Sequence, residues 1–279
     1  MPKFRSPAVA GQFYESDGQR LARQIESCFM DPRGPGHLPP HHRSKPRQLR
    51  AAIVPHAGYR YSGPIAAHVY AAIAAEEPPT TVLILGVDHH GGAVRAATSN
   101  VDWLTPLGPV EIDNDVVGQL AKPPIVIDEE TQALEHSIEV QLPFLQYVLP
   151  HPRFVPLMVR YGSYDSLHEI AVAVRSVVAS RPDILVLAST DFSHYVPASE
   201  ADRLDHLAIS EILRSDPKGL YSVVARHDIS MCGIAPTTVL LDALQHESLT
   251  PTLLRWGHSG EDTPMPEVVG YAAITLTRT

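Results

Sequence analysis

Three short apolar runs recur along the chain, at residues 51–54, 82–85 and 184–188. Each is continuously apolar and is halted by proline, glycine or polar residues, the pattern of a buried strand rather than an amphipathic helix. Each also ends in histidine. The first runs into Pro55-His56-Ala57-Gly58-Tyr59, the second into Val87-Asp88-His89-His90-Gly91-Gly92, and the third into Ser189-Thr190-Asp191-Phe192-Ser193-His194. Between them the apolar spacing switches to that of helices. Leu21, Ile25 and Phe29 share a face after Asp17, as do Ile65, Val69 and Ile73 within 63–75, and Leu167, Ile170, Val174 and Val177 within 166–179. Further helices are expected at 133–149, where Pro143 should kink or interrupt the run, at 200–214, from Asp216-Pro217 to about 227, and at 237–244. Strands are expected at 154–159, 249–256 and 268–276, and a β segment with a turn at 91–101.

The alternation never separates into halves, and no solenoid repeat is present. It predicts one α/β domain over residues 1–279, with a central mixed, mostly parallel sheet flanked by helices. In such folds the ligand crevice lies beyond the carboxyl ends of the strands, where these histidines arrive. A lone histidine after a strand is ordinarily a solvated loop residue; three such arrivals point to metal or acid–base chemistry at one shared site. Residues 7–14 read as an ordered arm with an aromatic anchor. Residues 31–47 read as a flexible loop whose His37, His41 and His42 are solvated. Asp113, Asn114 and Asp115 cap a helix at 116–121 or, as a weaker alternative, bind calcium.

Composition narrows the function classes. The 279-residue chain is 44% hydrophobic and carries a formal net charge of −9, which argues against nonspecific binding to nucleic acid or to anionic membranes. No apolar run approaches the ~20 residues of a membrane span, and the start lacks a signal-peptide core. A cytoplasmic location is expected. Cys28 and Cys232 are the only cysteines, too few for a disulfide framework. No P-loop, dinucleotide fingerprint or Gly-x-Ser-x-Gly elbow occurs, so nucleotide hydrolysis, hydride transfer and the usual serine-hydrolase chemistry lose support.

A zinc or iron site needs three or four convergent donors. His56 and His89 each closely follow a strand, and His90 competes with His89 on spacing alone. Cys232 precedes Gly233 at the head of a helix, whose N-terminus should favour the thiolate. Asp191 and His194 are candidates for ligand and base, or for groups that orient the others. His136 and Glu139, at i and i+3 of the expected 133–149 helix, should share a face toward the site. Tyr59 could supply a hydroxyl to the cleft, and Arg60 and Arg95 could meet an anionic group.

Together these stretches resemble the Memo family: Arg5-Ser6-Pro7-Ala8-Val9-Ala10-Gly11-Gln12-Phe13-Tyr14, Pro55-His56-Ala57-Gly58-Tyr59, Leu85 to His90, Glu135-His136-Ser137-Ile138-Glu139, Ser189 to Tyr195, and Cys232-Gly233. The family is similar in fold to the class III extradiol dioxygenases of the protocatechuate-dioxygenase B-subunit type. The resemblance implies metal ligands His56, His89 and Cys232, preferring His89 over His90, with catalytic His194 and Asp191 beside them. It implies Fe²⁺, with copper or zinc as alternatives. A thiolate stands where the dioxygenases have a carboxylate, and this softer donor changes metal preference and potential. Expected partners are a small-molecule or peptide ligand and, by resemblance to prokaryotic members, a radical-SAM protein. Three functions stand open: a dioxygenase-like iron enzyme, a non-catalytic peptide or partner-binding module using the same cleft, and a zinc hydrolase.

Overall fold

The structure is a computed structural model that describes residues 4–40 and 45–279. His41 and His42 therefore lie outside the described residues, and His37 is exposed. Helix α1 (Gly18–Met30) is capped by Asp17, whose carboxylate accepts from the Arg20 amide, and it buries Leu21, Ile25, Cys28 and Phe29. Strand β1 (Leu49–Val54) leads into α2 (Tyr59–Ala75), and β2 (Thr81–Val87) follows. A series of small elements comes next: β3 (Ala96–Thr98), β4 (Trp103–Thr105), β5 (Gly108–Ile112), α3 (Asn114–Leu120), β6 (Ile125–Ile127) and α4 (Glu129–Ala133). The chain continues through α5 (Leu142–Val148), β7 (Arg153–Val159), α6 (Tyr164–Val178), β8 (Ile184–Ser189) and β9 (His194–Val196). It closes with α7 (Ala198–Leu213), α8 (Pro217–His227), α9 (Ile234–Leu244), β10 (Leu249–His258) and β11 (Val268–Arg278).

The main sheet runs β10-β11-β1-β8-β2-β7-β3-β6. β1, β8, β2 and β7 are mutually parallel, while β11 meets β1 and β3 meets β7 antiparallel. The three histidine-bearing runs thus lie side by side at the sheet centre and end at the same edge. Every residue of β1, β2 and β8 is buried, which requires cover on both faces and explains the unbroken apolar runs. α2 packs on β1, β10 and β11 together with α1 and α5; α9 packs on β8, β2 and β7 together with α6 and α8.

The expected helix at 133–149 does not form. α4 stops at Ala133, Glu139–Gln141 make a single 3₁₀ turn, and Pro143 sits harmlessly in the first turn of α5. The buried Glu135 carboxylate accepts from the amides of His136 at 2.8 Å and Ser137 at 2.9 Å. This local side-chain bonding competes with helix continuation and leaves 134–138 irregular. α2 and α9 begin earlier than expected, at Tyr59 and Ile234. The three-residue strands β4, β6 and β9 carry too little pattern to be seen in the sequence. Asp113 caps α3, accepts from the Thr81 hydroxyl and pairs with Arg153 at 3.1 Å, so its carboxylate is occupied without calcium.

Candidate metal centre

The parallel register sets the site. Val54 lies opposite Ser189, and Ala188 opposite Leu85, so the chain leaves β1, β8 and β2 at adjacent points. His56 follows β1 after Pro55, Asp191 follows β8, and His89 follows β2. The His56 amide donates to Asp191 Oδ1 at 2.8 Å, tying the first two exits together. The irregular 134–138 segment packs over the end of β2, where the Val87 amide donates to Ser137 Oγ at 2.9 Å. Gly86 permits this approach: a Cβ there would lie 2.4 Å from Ile138 Cγ1. Gly233 does the same for the N-terminus of α9, since its Cβ would fall 2.2 Å from Thr190 Cβ. Cys232 is thereby brought against Asp191 and His56.

One candidate ligand atom from each of His56, His89 and His136 lies within 4.8 Å of the other two. The rings of His89 and His136 stack at 4.7 Å, and both meet His56 edge-on, at 5.3 and 5.6 Å. Cys232 Sγ is 3.2 Å from His56 Nε2. The hydrogen bonds behind the rings fix which nitrogen is free. His89 Nδ1 lies 2.9 Å from Glu135 Oε1, so Nδ1 carries the hydrogen and Nε2 the lone pair. Ser189 Oγ donates to the Ser137 carbonyl at 2.7 Å and accepts from Gln141 Nε2 at 2.9 Å. It can then only accept from His56 Nδ1, 3.0 Å away, which leaves the His56 Nε2 lone pair facing Cys232. His194 Nδ1 faces two carbonyls, Phe192 at 2.7 Å and Ser230 at 2.8 Å, so it too is the donor and Nε2 is the basic atom.

The electrostatics favour neutral His56 and His136 between two buried carboxylates, Glu135 and Asp191. Burial, with repulsion from His136 and His89, holds His56 well below the ordinary histidine range. Burial brings His136 down to about 4 against the opposing pull of Glu135. Burial by itself would raise Glu135, but its bond to His89 and the amides beneath it hold it below the usual carboxylate range. Burial pushes Asp191 up to about 6, opposed by the His56 amide. Cys232 departs from the thiolate expected at a helix N-terminus. Burial pushes the thiol up and the Asp191 charge adds to it, outweighing the amide hydrogen bond from Asp191 at 3.3 Å. Neutral imidazole nitrogens, a thiol sulfur and a buried carboxylate behind them form a donor set that fits a dication. A cation would favour the thiolate and compensate Glu135.

The structure therefore brings His56, His89, His136, Asp191 and Cys232 together, with His194 at the start of β9 near enough to act electrostatically on His56 and Asp191. Other expectations need correction. Glu139 does not share a face with His136, because the helix that would align them is absent. Its carboxylate is buried and accepts from the Ala8 and Val9 amides, the Tyr14 hydroxyl and the Arg5 guanidinium, which makes it the anchor of the N-terminal arm. Tyr59 is buried too, and its hydroxyl donates to the Val140 carbonyl at 2.6 Å rather than facing a cleft. His90 is exposed and lines a hollow of about 350 Å³ with Asp88, Thr131 and Leu134. Arg95 pairs with Glu169 on the surface, and Arg60 lines a separate hollow beside Phe13 and Tyr61. Glu135, Ser189, Gln141 and Ser230 are the site residues that sequence reasoning missed. Of these only Glu135 carried a signal, as an acid directly before His136.

Comparison with known proteins places the chain in a family. The Memo-like protein family model matches residues 5–275. A MEMO1 family protein of Methanopyrus kandleri is 41% identical over 98% of this chain and 99% of its own length. One from Sulfolobus acidocaldarius is also 41% identical, over 97% and 98%. Among solved structures, an uncharacterized protein of Escherichia coli K12 shares the fold with a TM-score of 0.55 at 12% identity, covering 81% of this chain and 99% of that one. No helix among the described residues is long and apolar enough to cross a membrane. Match and coverage span the domain from the arm to the last strand, and the chain belongs to the Memo family.

Proposed function

We propose that this Memo-family protein is a mononuclear non-heme iron oxidoreductase of dioxygenase-like type. It would act on a small reduced organic substrate, such as an aromatic, in the cleft at the strand ends. The observation that carries this is the convergence of His56 and His89 with their Nε2 lone pairs freed by bonds at Nδ1, beside the Cys232 sulfur. These three residues would hold the metal, with His136 stacked against His89. Iron held there would supply one-electron redox chemistry toward oxygen and a reduced substrate. His194 presents a basic Nε2 with its other nitrogen locked on two carbonyls, which suits it to accept a proton from a substrate hydroxyl. Asp191 holds the His56 backbone in place, so it orients the ligand. Glu135 fixes the His89 ring and its tautomer.

The test is metal content after anaerobic purification of untagged protein, with His37, His41 and His42 replaced to remove adventitious binding. The parent is compared with His56→Ala, Cys232→Ala and His136→Ala. Near-stoichiometric iron, lost in the first two variants, supports the reading and directs the search to oxygen-consuming substrates, and its loss in the third adds the His136 nitrogen to the donor set. Zinc in the same pattern moves the assignment to hydrolysis or a structural ion. Protein that takes up no metal even on anaerobic reconstitution sinks the proposal. A non-catalytic peptide- or partner-binding role for the same cleft would then be the better account.

A further inference from the structure

The N-terminal arm reaches the metal centre through one buried guanidinium. Arg5 is 7% exposed although it lies near the chain start. Its backbone is seated on β4, with its amide donating to the Asp102 carbonyl at 2.9 Å and its carbonyl accepting from Leu104 at 2.8 Å. Its guanidinium lies over the Trp103 ring, 4.1 Å from the centroid. From that fixed seat it reaches three points of a single segment. Nε donates to the Gln132 carbonyl at 3.2 Å, one terminal nitrogen donates to the Glu135 carbonyl, and the other pairs with the Glu139 carboxylate. Between those points lie the Glu135 carboxylate that orients His89, and the His136 ring. Between the end of α4 and the 3₁₀ turn, residues 134–138 are irregular, so the fork ties the two ends together and supplies rigidity that a continuous helix would have given. Phe13 of the same arm meets the His136 ring edge-on at 4.9 Å.

We propose that Arg5 is a positioning residue of the metal centre: by clamping Gln132, Glu135 and Glu139 it fixes the carboxylate that sets the His89 tautomer and holds the His136 ring in place. The inference rests on the metal-centre reading for its consequence, but the clamp itself is a property of the metal-free chain. Only the planar fork of arginine reaches all three points. A lysine keeps the charge opposite Glu139 and loses the two carbonyls.

Arg5→Lys is therefore compared with Arg50→Lys. Arg50 is a second buried fork, at the start of β1, which bonds Glu247 and the carbonyls of Val178 and Ile184. It serves as a matched structural lesion at the other end of the sheet. Long-range ¹⁵N–¹H spectra of metal-free protein at pH 8 report each histidine tautomer, and Co²⁺ titration reports affinity. Arg5→Lys should turn the single Nδ1–H form of His89 into a mixture and weaken Co²⁺ by about tenfold or more. Arg50→Lys should lower the melting temperature and change neither. If Arg5→Lys fails to fold, Trp103→Phe, which loosens the seat of the guanidinium, should shift both readouts in the same direction by less. The proposal is overturned if a folded Arg5 or Trp103 variant keeps the wild-type His89 tautomer, or if Arg50→Lys shifts it equally. Parent protein that binds no Co²⁺ refutes the metal-centre reading instead, and the tautomer readout still decides the clamp.

Discussion

Two histidine–carboxylate pairs in this molecule look alike and do different work. His89 meets buried Glu135 at 2.9 Å near the sheet edge, and His168 on α6 meets buried Asp242 on α9 at 2.7 Å. Asp242 also accepts from Arg175 at 2.8 Å, Gln245 at 2.9 Å and the Tyr164 hydroxyl at 3.3 Å. Its charge is compensated by the guanidinium, and the cluster bolts α6 to α9. Glu135 accepts from His89 and from the amides of His89, His136 and Ser137, and among the described residues no guanidinium or ammonium pairs with its carboxylate. The free nitrogen of His89 faces two more imidazoles, whereas the described cluster around His168 supplies no second nitrogen donor. A histidine on a buried carboxylate is therefore not a site in itself. What makes one is convergence of further donors without a resident cation.

The strongest way to break this contrast is metal binding. His89→Ala should abolish Co²⁺ uptake, and Glu135→Gln should weaken it by about 10–100-fold, while Asp242→Asn and His168→Ala leave it unchanged. Equilibrium dialysis decides this, and equal loss at the two pairs would erase the distinction. The next largest effect belongs to the strut. Asp242→Ala removes the buried carboxylate shared by half-buried Arg175, Gln245, Tyr164 and His168, and a loss of about 1–3 kcal/mol is expected in urea unfolding. A loss below about 1 kcal/mol would mean that Asp242 is not the bolt.

Much of the metal centre was legible in the sequence, whereas the His168–Asp242 pair was not. The strand-end histidines His56 and His89, together with Asp191, stand where unbroken apolar runs stop, and those runs imply a buried, mostly parallel sheet centre, although the placing of β8 between β1 and β2 is seen only in the fold. Cys232 was visible as a thiol ahead of a helix, although its protonation was not, because burial is a property of the packed chain. Glu135 was obscured by the assumption of a continuous helix: its own carboxylate, bonded to the next two amides, is what prevents that helix. Ser189 reads as an ordinary strand end until Gln141 and Ser137 reach it from some 50 residues away. Glu139 was read as a cleft acid because its partners, Arg5 and Tyr14, are brought to it only by the tertiary fold.

Acid stability sharpens the comparison further. In metal-free protein His136 has a folded value of about 4 against 6.5 when unfolded. Between these limits the unfolded chain binds more protons, so stability falls as pH drops through 6.5 toward 4, by at most about 3 kcal/mol. His56, also depressed, acts in the same direction. Asp191 works against them. Raised from 3.8 to about 6, it takes up a proton earlier in the fold, and its contribution grows as pH falls through that interval. The net expectation is a loss between pH 7 and 4.5 that steepens in Asp191→Asn and flattens in His136→Gln, measured by urea midpoints across pH. A shallower limb in Asp191→Asn would reverse the sign assigned to Asp191.

The smallest expected effect is at His168 itself. Its side chain is 47% exposed, and Asp242 retains Arg175, Gln245 and Tyr164 when it is removed. An ion pair with one solvated partner contributes about 0–1 kcal/mol, so His168→Ala should shift the urea midpoint only slightly. The same truncation at His89, also partly exposed, should cost little stability and nearly all of the metal. The two alanines thus separate the pairs by readout rather than by size: unfolding hardly distinguishes them, and metal binding does. A loss above about 2 kcal/mol at His168 would show that the imidazole shares the strut with Arg175, and that the two pairs differ less than their surroundings imply.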